Sequence, residues 1–532
     1  MLPRHATQVG AGDHIVLWGR LRGMAHEATT SEATTNEVTT TPGDECIDAI
    51  AETFVAQLDL SADVGVARVK RDPIAEELGV AGSAGRVTAE GSYVVFAGDS
   101  NRTEMVVQLQ DGGWQTTVVE GADAADAAFE APAVTAQALP LSDGRTLVVR
   151  PPSAQGRRLR LESLDGAGPR ATTLWPPAPD AEHVEVEADL LGDVAHLRVF
   201  QGNAAERILM FGGAGNPIWF STTKGGFAGG ASMSVARWGV AWQASSIVPL
   251  PRFQGAHGYP AGTLLVIGGL TNDATLADLT ESQLQLFDPK GNRWLSPSVP
   301  LPWPMLHASP VLLPDGNIAL IGGRFAPGGG RDIAETRVIY LHPDAVPAAG
   351  PGVDAPAAES VVQFSMTVGR APMSRARGVG MAALLLPSGG VFIGGGQIFD
   401  GDASTENANF EILEPPYLTE GRPRPLIQRA PDTLTFGSRF VVEVEPTSTS
   451  SEPATVVLMA YGSVTFGRNV PQRHLELVVE SVSPDGRQMV VQGPDTPLAA
   501  PPGRYLLFVV DGARVPSRGV PVALGGTGGD AP

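Results

Sequence analysis

Residues 377–425 read RGVGMAALLLPSGGVFIGGGQIFDGDASTENANFEILEPPYLTEGRPRP, and this stretch decides the fold. Met381–Leu386 is an apolar run, Pro387-Ser388-Gly389-Gly390 a turn, Val391–Ile393 a second apolar run, and Gly394-Gly395-Gly396 a stop. Two short apolar runs around a Gly-rich turn make one β-hairpin. The segment Glu411–Leu418 and the Pro-rich linker Arg422–Pro425 then lead into a different pattern.

Working outward, the same unit recurs from about Arg86: Gly91–Gly98, Leu139–Val149, Arg207–Gly213, Gly262–Gly269, Val311–Gly323 and Ala383–Gly395. Outer strands close some units, as in Gln283–Trp294, whose Asp288-Pro289-Lys290-Gly291-Asn292 is turn chemistry. The later units approach the period of about 50 residues of kelch-type repeats and exceed it where loops intervene. Radial repetition solves the edge-strand problem, because each blade packs on the next and the ring closes. Beyond Tyr417 the pattern becomes short strands at Phe440–Val444, Thr455–Met459, Leu475–Val479, Met489–Val491 and Arg504–Val510, an immunoglobulin-like sandwich.

Gly 64 and Pro 45 in 532 residues suit an all-β chain of several domains rather than long helices. A net charge of −20 argues against nucleic acid as a partner. Cys46 is the single cysteine, so neither an intrachain disulfide nor a cysteine-based zinc site can form. Within the first 25 residues the only apolar run is Ile15–Trp18, too short for a membrane span or a secretory signal, and the chain is expected to be soluble and cytoplasmic. Glu27–Thr41 repeats as EATTS-EATTN-EVTTT, a linker composition. Asp44–Leu60 carries Ile47, Ile50, Phe54 and Leu58 at helical spacing and predicts a short amphipathic helix.

The run 377–425, with Tyr461–Arg473 (YGSVTFGRNVPQR), resembles the last blade, domain junction and axial loop of the galactose oxidase/glyoxal oxidase family. The resemblance spans roughly Leu197–Leu524 and implies an all-β fold: a kelch-type β-propeller of six to seven blades followed by an immunoglobulin-like early set sandwich. The expected division is 1–80 (Thr-rich linker and short helix), 81–418 (propeller) and 424–525 (sandwich), with Ile15–Trp18 a candidate contributor to the seventh blade.

The resemblance also implies a chemistry: copper held by two histidines and an axial tyrosine, beside an equatorial tyrosine cross-linked to a cysteine, oxidising an alcohol or aldehyde. The Tyr-His pair falls here on Val379 and Gly380, and the second histidine on Phe466. Cys46 precedes the propeller, and no tyrosine lies between Tyr93 and Tyr259. No cofactor, metal or catalytic residue is therefore assigned. The expectation is a pseudoenzyme-like binding or scaffold module; a divergent oxidoreductase acting on an aldehyde or primary alcohol is the alternative.

Other candidates stay open. His257 and His307 are placed just before inner hairpins, as metal ligands or as interblade hydrogen-bonding groups. Arg375, Arg377 and Arg468 flank the vacated positions, either lining an anion pocket or holding backbone and neighbouring carboxylates. Asp400, Asp402, Ser404 and Glu406 alternate as in a calcium loop or an acidic turn. Trp219, Phe220, Phe227, Trp238 and Trp242 suggest a carbohydrate or protein contact, or a seal on the propeller face.

Overall fold

In the computed structural model the described residues are 2–9, 14–22, 51–59, 84–87, 93–97, 104–108, 114–118, 137–150, 160–164, 171–175, 194–201, 206–212, 217–221, 226–229, 246–253, 259–269, 283–303, 305–325, 333–344, 363–400, 403–407, 409–445, 447, 454–465 and 467–525. Each unit read from the sequence is a pair of adjacent antiparallel strands or the second strand of one, and the strands assemble into ten sheets.

Seven sheets are ranged around a hub. Blade 1 is Leu2–Val9, His14–Arg22 and Ala51–Asp59, and blade 2 begins with Ala84–Val87. Blades 3 and 4 begin with Gln137–Pro140 and Val194–Gln201, and blades 5, 6 and 7 with Ser246–Pro249, Ser309–Leu312 and Met381–Leu385. These first strands lie innermost, and Leu2–Val9 packs between those of blades 7 and 2, which closes the ring. His14–Arg22, which contains Ile15–Trp18, therefore belongs to blade 1, the sheet that completes the ring.

The helix expected over Asp44–Leu60 is corrected: Ala51–Asp59 is a strand paired antiparallel with His14–Arg22, Phe54 opposite Gly19 and Leu58 opposite Ile15. Phe54 and Leu58 stand four apart, a spacing that one face of a helix and one face of a strand both satisfy. The partner strand decides between them. Residues 44–50 and Cys46 lie outside the described residues.

Leu426–Arg429, Arg439–Glu445, Gln488–Gln492 and Val479–Val482 form one sheet of the C-terminal sandwich. Thr433–Leu434, Val520–Leu524, Gly503–Val510, Thr455–Ala460 and His474–Leu477 form the other. Val442, Val456, Leu458, Met489, Leu507 and Val522 fill the core between them. The opposite face of the second sheet (Val457, Met459, Leu506, Phe508) joins the core of blades 5 and 6. That shared apolar core seats the sandwich on the propeller and aims its loop 461–473 along the hub.

Candidate functional site

The loop enters as a hairpin. Ser463–Thr465 and Arg468–Asn469 pair with each other, and Ser463–Thr465 adds to the inner edge of blade 1 (His5 opposite Thr465, Thr7 opposite Ser463). The hairpin also packs against the inner strands of blades 2, 6 and 7. Asn469 braces its base, accepting from the Ser463 N–H at 3.2 Å. Gln472 is buried and bridges to blade 6: its Oε1 accepts from the Leu312 N–H at 2.9 Å and its Nε2 donates to the Pro310 carbonyl at 2.9 Å.

At the hairpin apex, Gly467 has φ 76° and lies over Gly380. A Cβ at Gly467 would stand 3.3 Å from the Met381 carbonyl, 3.4 Å from Ser309 Oγ and 3.8 Å from Gly380 Cα. Ser309 Oγ donates to the Gly467 carbonyl at 3.3 Å. The sandwich loop and the Val379–Gly380 segment thus meet at the hub. Phe466 lies outside the described residues.

Val379 and Gly380 are half-buried just ahead of the innermost strand of blade 7. The backbone there is tied down: the Gly378 N–H donates to the Gln397 carbonyl at 2.7 Å, and the Gln397 N–H to the Val379 carbonyl at 2.8 Å. Gly380 has φ 74°, in the left-handed region, and His307 occupies the equivalent place in blade 6 with φ 56°. Both precede a turn proline by seven residues, Pro387 and Pro314. The two blades therefore share one backbone device and differ in the side chain it presents.

His307 is half-buried, on a strap between blades 5 and 6. Leu306 and Arg324 exchange N–H to carbonyl bonds of 2.9 and 2.8 Å, the Gly269 N–H donates to the Met305 carbonyl at 3.2 Å, and Ser246 Oγ donates to the Ala308 carbonyl. His257 lies outside the described residues, and its expected place is corrected. The innermost strand of its blade is Ser246–Pro249, so in chain order His257 follows that strand instead of preceding it.

Arg377 is fully buried and its donors are committed within blade 7. Nη1 donates to the Gly395 carbonyl at 2.6 Å, Nη2 to Asn409 Oδ1 at 2.7 Å, and Nε and Nη2 reach Glu411 Oε1 at 3.2 and 3.1 Å. Burial lowers its pKa, and Glu411 opposes that shift by favouring the charged form. Of the two roles open to it, Arg377 takes backbone clamping. Arg375 is exposed, and Arg468 is half-buried in the hairpin.

Two further expectations change. Gln397–Asp400 and Ala403–Glu406 form a β-hairpin with Asp400 opposite Ala403, where the calcium reading expected a loop, and Asp402 lies outside the described residues. Trp219 and Phe220 are buried, not exposed. Trp219 packs 6.4 Å from Phe287 of the neighbouring blade, its Nε1 donates to Asn292 Oδ1 at 2.9 Å, and Arg207 lies 4.4 Å over its ring. Phe227 sits on the strand Gly226–Gly229; Trp238 and Trp242 lie outside the described residues.

A polar seam lies between blade 6 and the sandwich, and sequence reading did not single it out. His474 is buried against Phe253 (centroids 5.4 Å apart), and its Nε2 donates to the Pro314 carbonyl at 3.2 Å, which leaves Nδ1 unprotonated and without a partner. Burial pushes its pKa down to about 4. Asp315, also buried, accepts from the Asn317 N–H at 3.1 Å and Nδ2 at 2.6 Å, and burial pushes its pKa up to about 6. Arg514 Nη1 donates to the Asp315 carbonyl at 3.4 Å, and Arg252 and Glu476 tie blade 5 to the sandwich backbone. The Asp-Gly turn at 315–316 was the available signal, but nothing local shows that a second domain caps it.

The comparisons agree with this architecture. Residues 424–524 match the family described as "Galactose oxidase-like, Early set domain". This part of the chain is similar to the early set domains of galactose oxidase-like proteins. A galactose oxidase of Gibberella zeae is 30% identical over 216 residues, 40% of this chain and 28% of its own length. An aldehyde oxidase of Arabidopsis thaliana is 28% identical over 224 residues, 40% of this chain and 34% of its own. The match spans well under half of these curated relatives. Among solved structures, a fungal alcohol oxidase of the AA5 family in complex with copper superposes with a TM-score of 0.65 over 98% of this chain and 97% of its own, at 16% identity, a likeness of fold.

Copper is named for that structure, and the resemblance read from the sequence would place a ligand pair at Val379 and Gly380. The side chains of Val379 and Gly380 offer no donor atom, and among the described residues no group of three His, Cys, Asp or Glu could hold a metal ion. Among the described residues no helix is long and apolar enough to cross a membrane.

Proposed function

We propose that this chain is a galactose oxidase-like propeller and sandwich without the copper radical site, acting as a binding or scaffold module. One observation carries the reading. The early set loop still reaches the hub and its Gly467 lies on Gly380, where the resemblance calls for a histidine. A glycine and an aliphatic side chain cannot ligate a transition ion. Fold and chemistry separate readily, since a rigid ring remains a platform after its site changes.

A second reading, an oxidoreductase acting on an aldehyde or primary alcohol, is favoured by the relatives, a galactose oxidase and an aldehyde oxidase. It requires donors other than Val379 and Gly380. Copper loading followed by a peroxide assay over galactose, primary alcohols and aldehydes separates the two. Stoichiometric copper with turnover would reject the binding reading.

A further inference from the structure

Among the described residues blade 7 has three strands of its own, as blade 1 does, whereas blades 2 to 6 have four. In blade 5 the third strand Gln283–Asp288 is flanked by Arg293–Pro300, and in blade 6 Val338–Asp344 is flanked by Gln363–Val368. The third strand of blade 7, Phe410–Leu413, has Val391–Gly395 on one side and no described strand on the other.

The hydrogen-bonding direction of that edge follows from its neighbours. The Leu386 N–H donates to the Gly390 carbonyl at 2.8 Å, so the alternate residues Gly390, Phe392 and Gly394 bond towards the inner strand. Val391, Ile393 and Gly395 then bond outward, and the Gly395 N–H indeed donates to the Asn409 carbonyl at 3.2 Å. With Ile393 opposite Glu411 and Phe392 opposite Ile412, it is Asn409, Glu411 and Leu413 that bond back into the blade. Phe410 and Ile412 aim their N–H and C=O groups off the edge. The Ile412 side chain is 40% exposed.

Charge sets what can join this edge. Glu411 is committed to Arg377 and to the Ser374 N–H (2.8 Å). Glu414 is exposed, two residues beyond Ile412 and so on the same face, and among the described residues it has no ion pair or hydrogen bond. Pro415 and Pro416 follow, and the chain departs through the helical turn Pro416–Thr419 to the sandwich.

We propose that the edge Phe410–Leu413 is a strand-addition site for an extended segment of a partner protein. The added strand runs antiparallel, with an apolar β-branched residue opposite Ile412 and a basic residue, two positions earlier in the partner, opposite Glu414. The net charge of −20 favours a basic segment over a second copy of this chain. The site is separate from the hub, so its test and the copper test succeed or fail independently.

The probe is a fluorescein-labelled peptide TKTVTVT, compared with TETVTVT, in anisotropy titrations against the full chain. The basic peptide binds wild type at least tenfold more tightly than the acidic one, and Glu414→Lys reverses the preference. Ile412→Pro, which removes only an outward N–H, abolishes binding of both. No binding of either peptide, or an unchanged preference in Glu414→Lys, overturns the proposal. So does a wild-type dimer in light scattering that Ile412→Pro dissociates, because the edge would then belong to a second copy.

Discussion

Two contacts of the sandwich with the propeller differ in the groups that make them. At the seam, Gln472, His474 and Arg514 bond the carbonyls of Pro310, Pro314 and Asp315. At the hub, the apex of the loop meets Gly380 through backbone and one serine hydroxyl. Polar side chains make the contact where the two domains meet at the seam, and backbone with one hydroxyl makes it at the hub.

The largest effect expected is at neither contact but at the clamp beneath the hub. Arg377→Met leaves Glu411 and the carbonyls of Gly395 and Asn409 without their buried donor. It should cost roughly 3–5 kcal/mol in urea unfolding. A loss below about 1 kcal/mol would mean that blade 7 is held by its strands alone.

The seam is expected to respond to pH in two opposed ways. His474 is held neutral, so its contribution is lost as pH falls from 6.5 to about 4. Asp315 is held protonated, so its contribution is full below 3.8 and is lost as pH rises through about 6. Each is worth about 3 kcal/mol at most, and between pH 4 and 6 they offset one another. In His474→Gln the urea midpoint should fall as pH rises from 4 to 6; in Asp315→Asn it should fall as pH drops from 6.5 to 4. Parallel slopes in the two variants would contradict the assignment.

Gln472→Ala strips partners from two buried backbone groups and should cost about 2 kcal/mol. Gly380→His should cost only about 1 kcal/mol, because His307 already sits in the left-handed conformation at the equivalent position. A much larger loss would show that Gly467 leaves no room above Gly380, and would sharpen the contrast between a packed hub and an open one.

Much of the fold was legible because its signals are local. Gly-Gly stops close the units from Arg207–Gly213 to Ala383–Gly395, and the strands after Tyr417 announce themselves by length and turn chemistry. Ala51–Asp59 was misread because spacing by four fits two periodicities, and only its pairing with His14–Arg22 separates them. At Val379 and Gly380 the residue types themselves carry the reading, and copper loading tests it. The site was not legible where the role depends on distant partners. Nothing local marks Arg377 as a buried clamp, His474 as a cap on another domain's turn, or Trp219 as an interblade core residue.

The central claim is tested most directly by metal analysis and electron paramagnetic resonance of the full chain after Cu(II) loading and gel filtration, with Val379→Tyr/Gly380→His alongside. Wild type is expected to retain no stoichiometric copper and to give no mononuclear Cu(II) spectrum. The double variant should give no peroxide with galactose or aldehydes, since Phe466 and the absent Tyr–Cys pair remain. One copper per chain in wild type, with a nitrogen-ligated spectrum, would contradict the account.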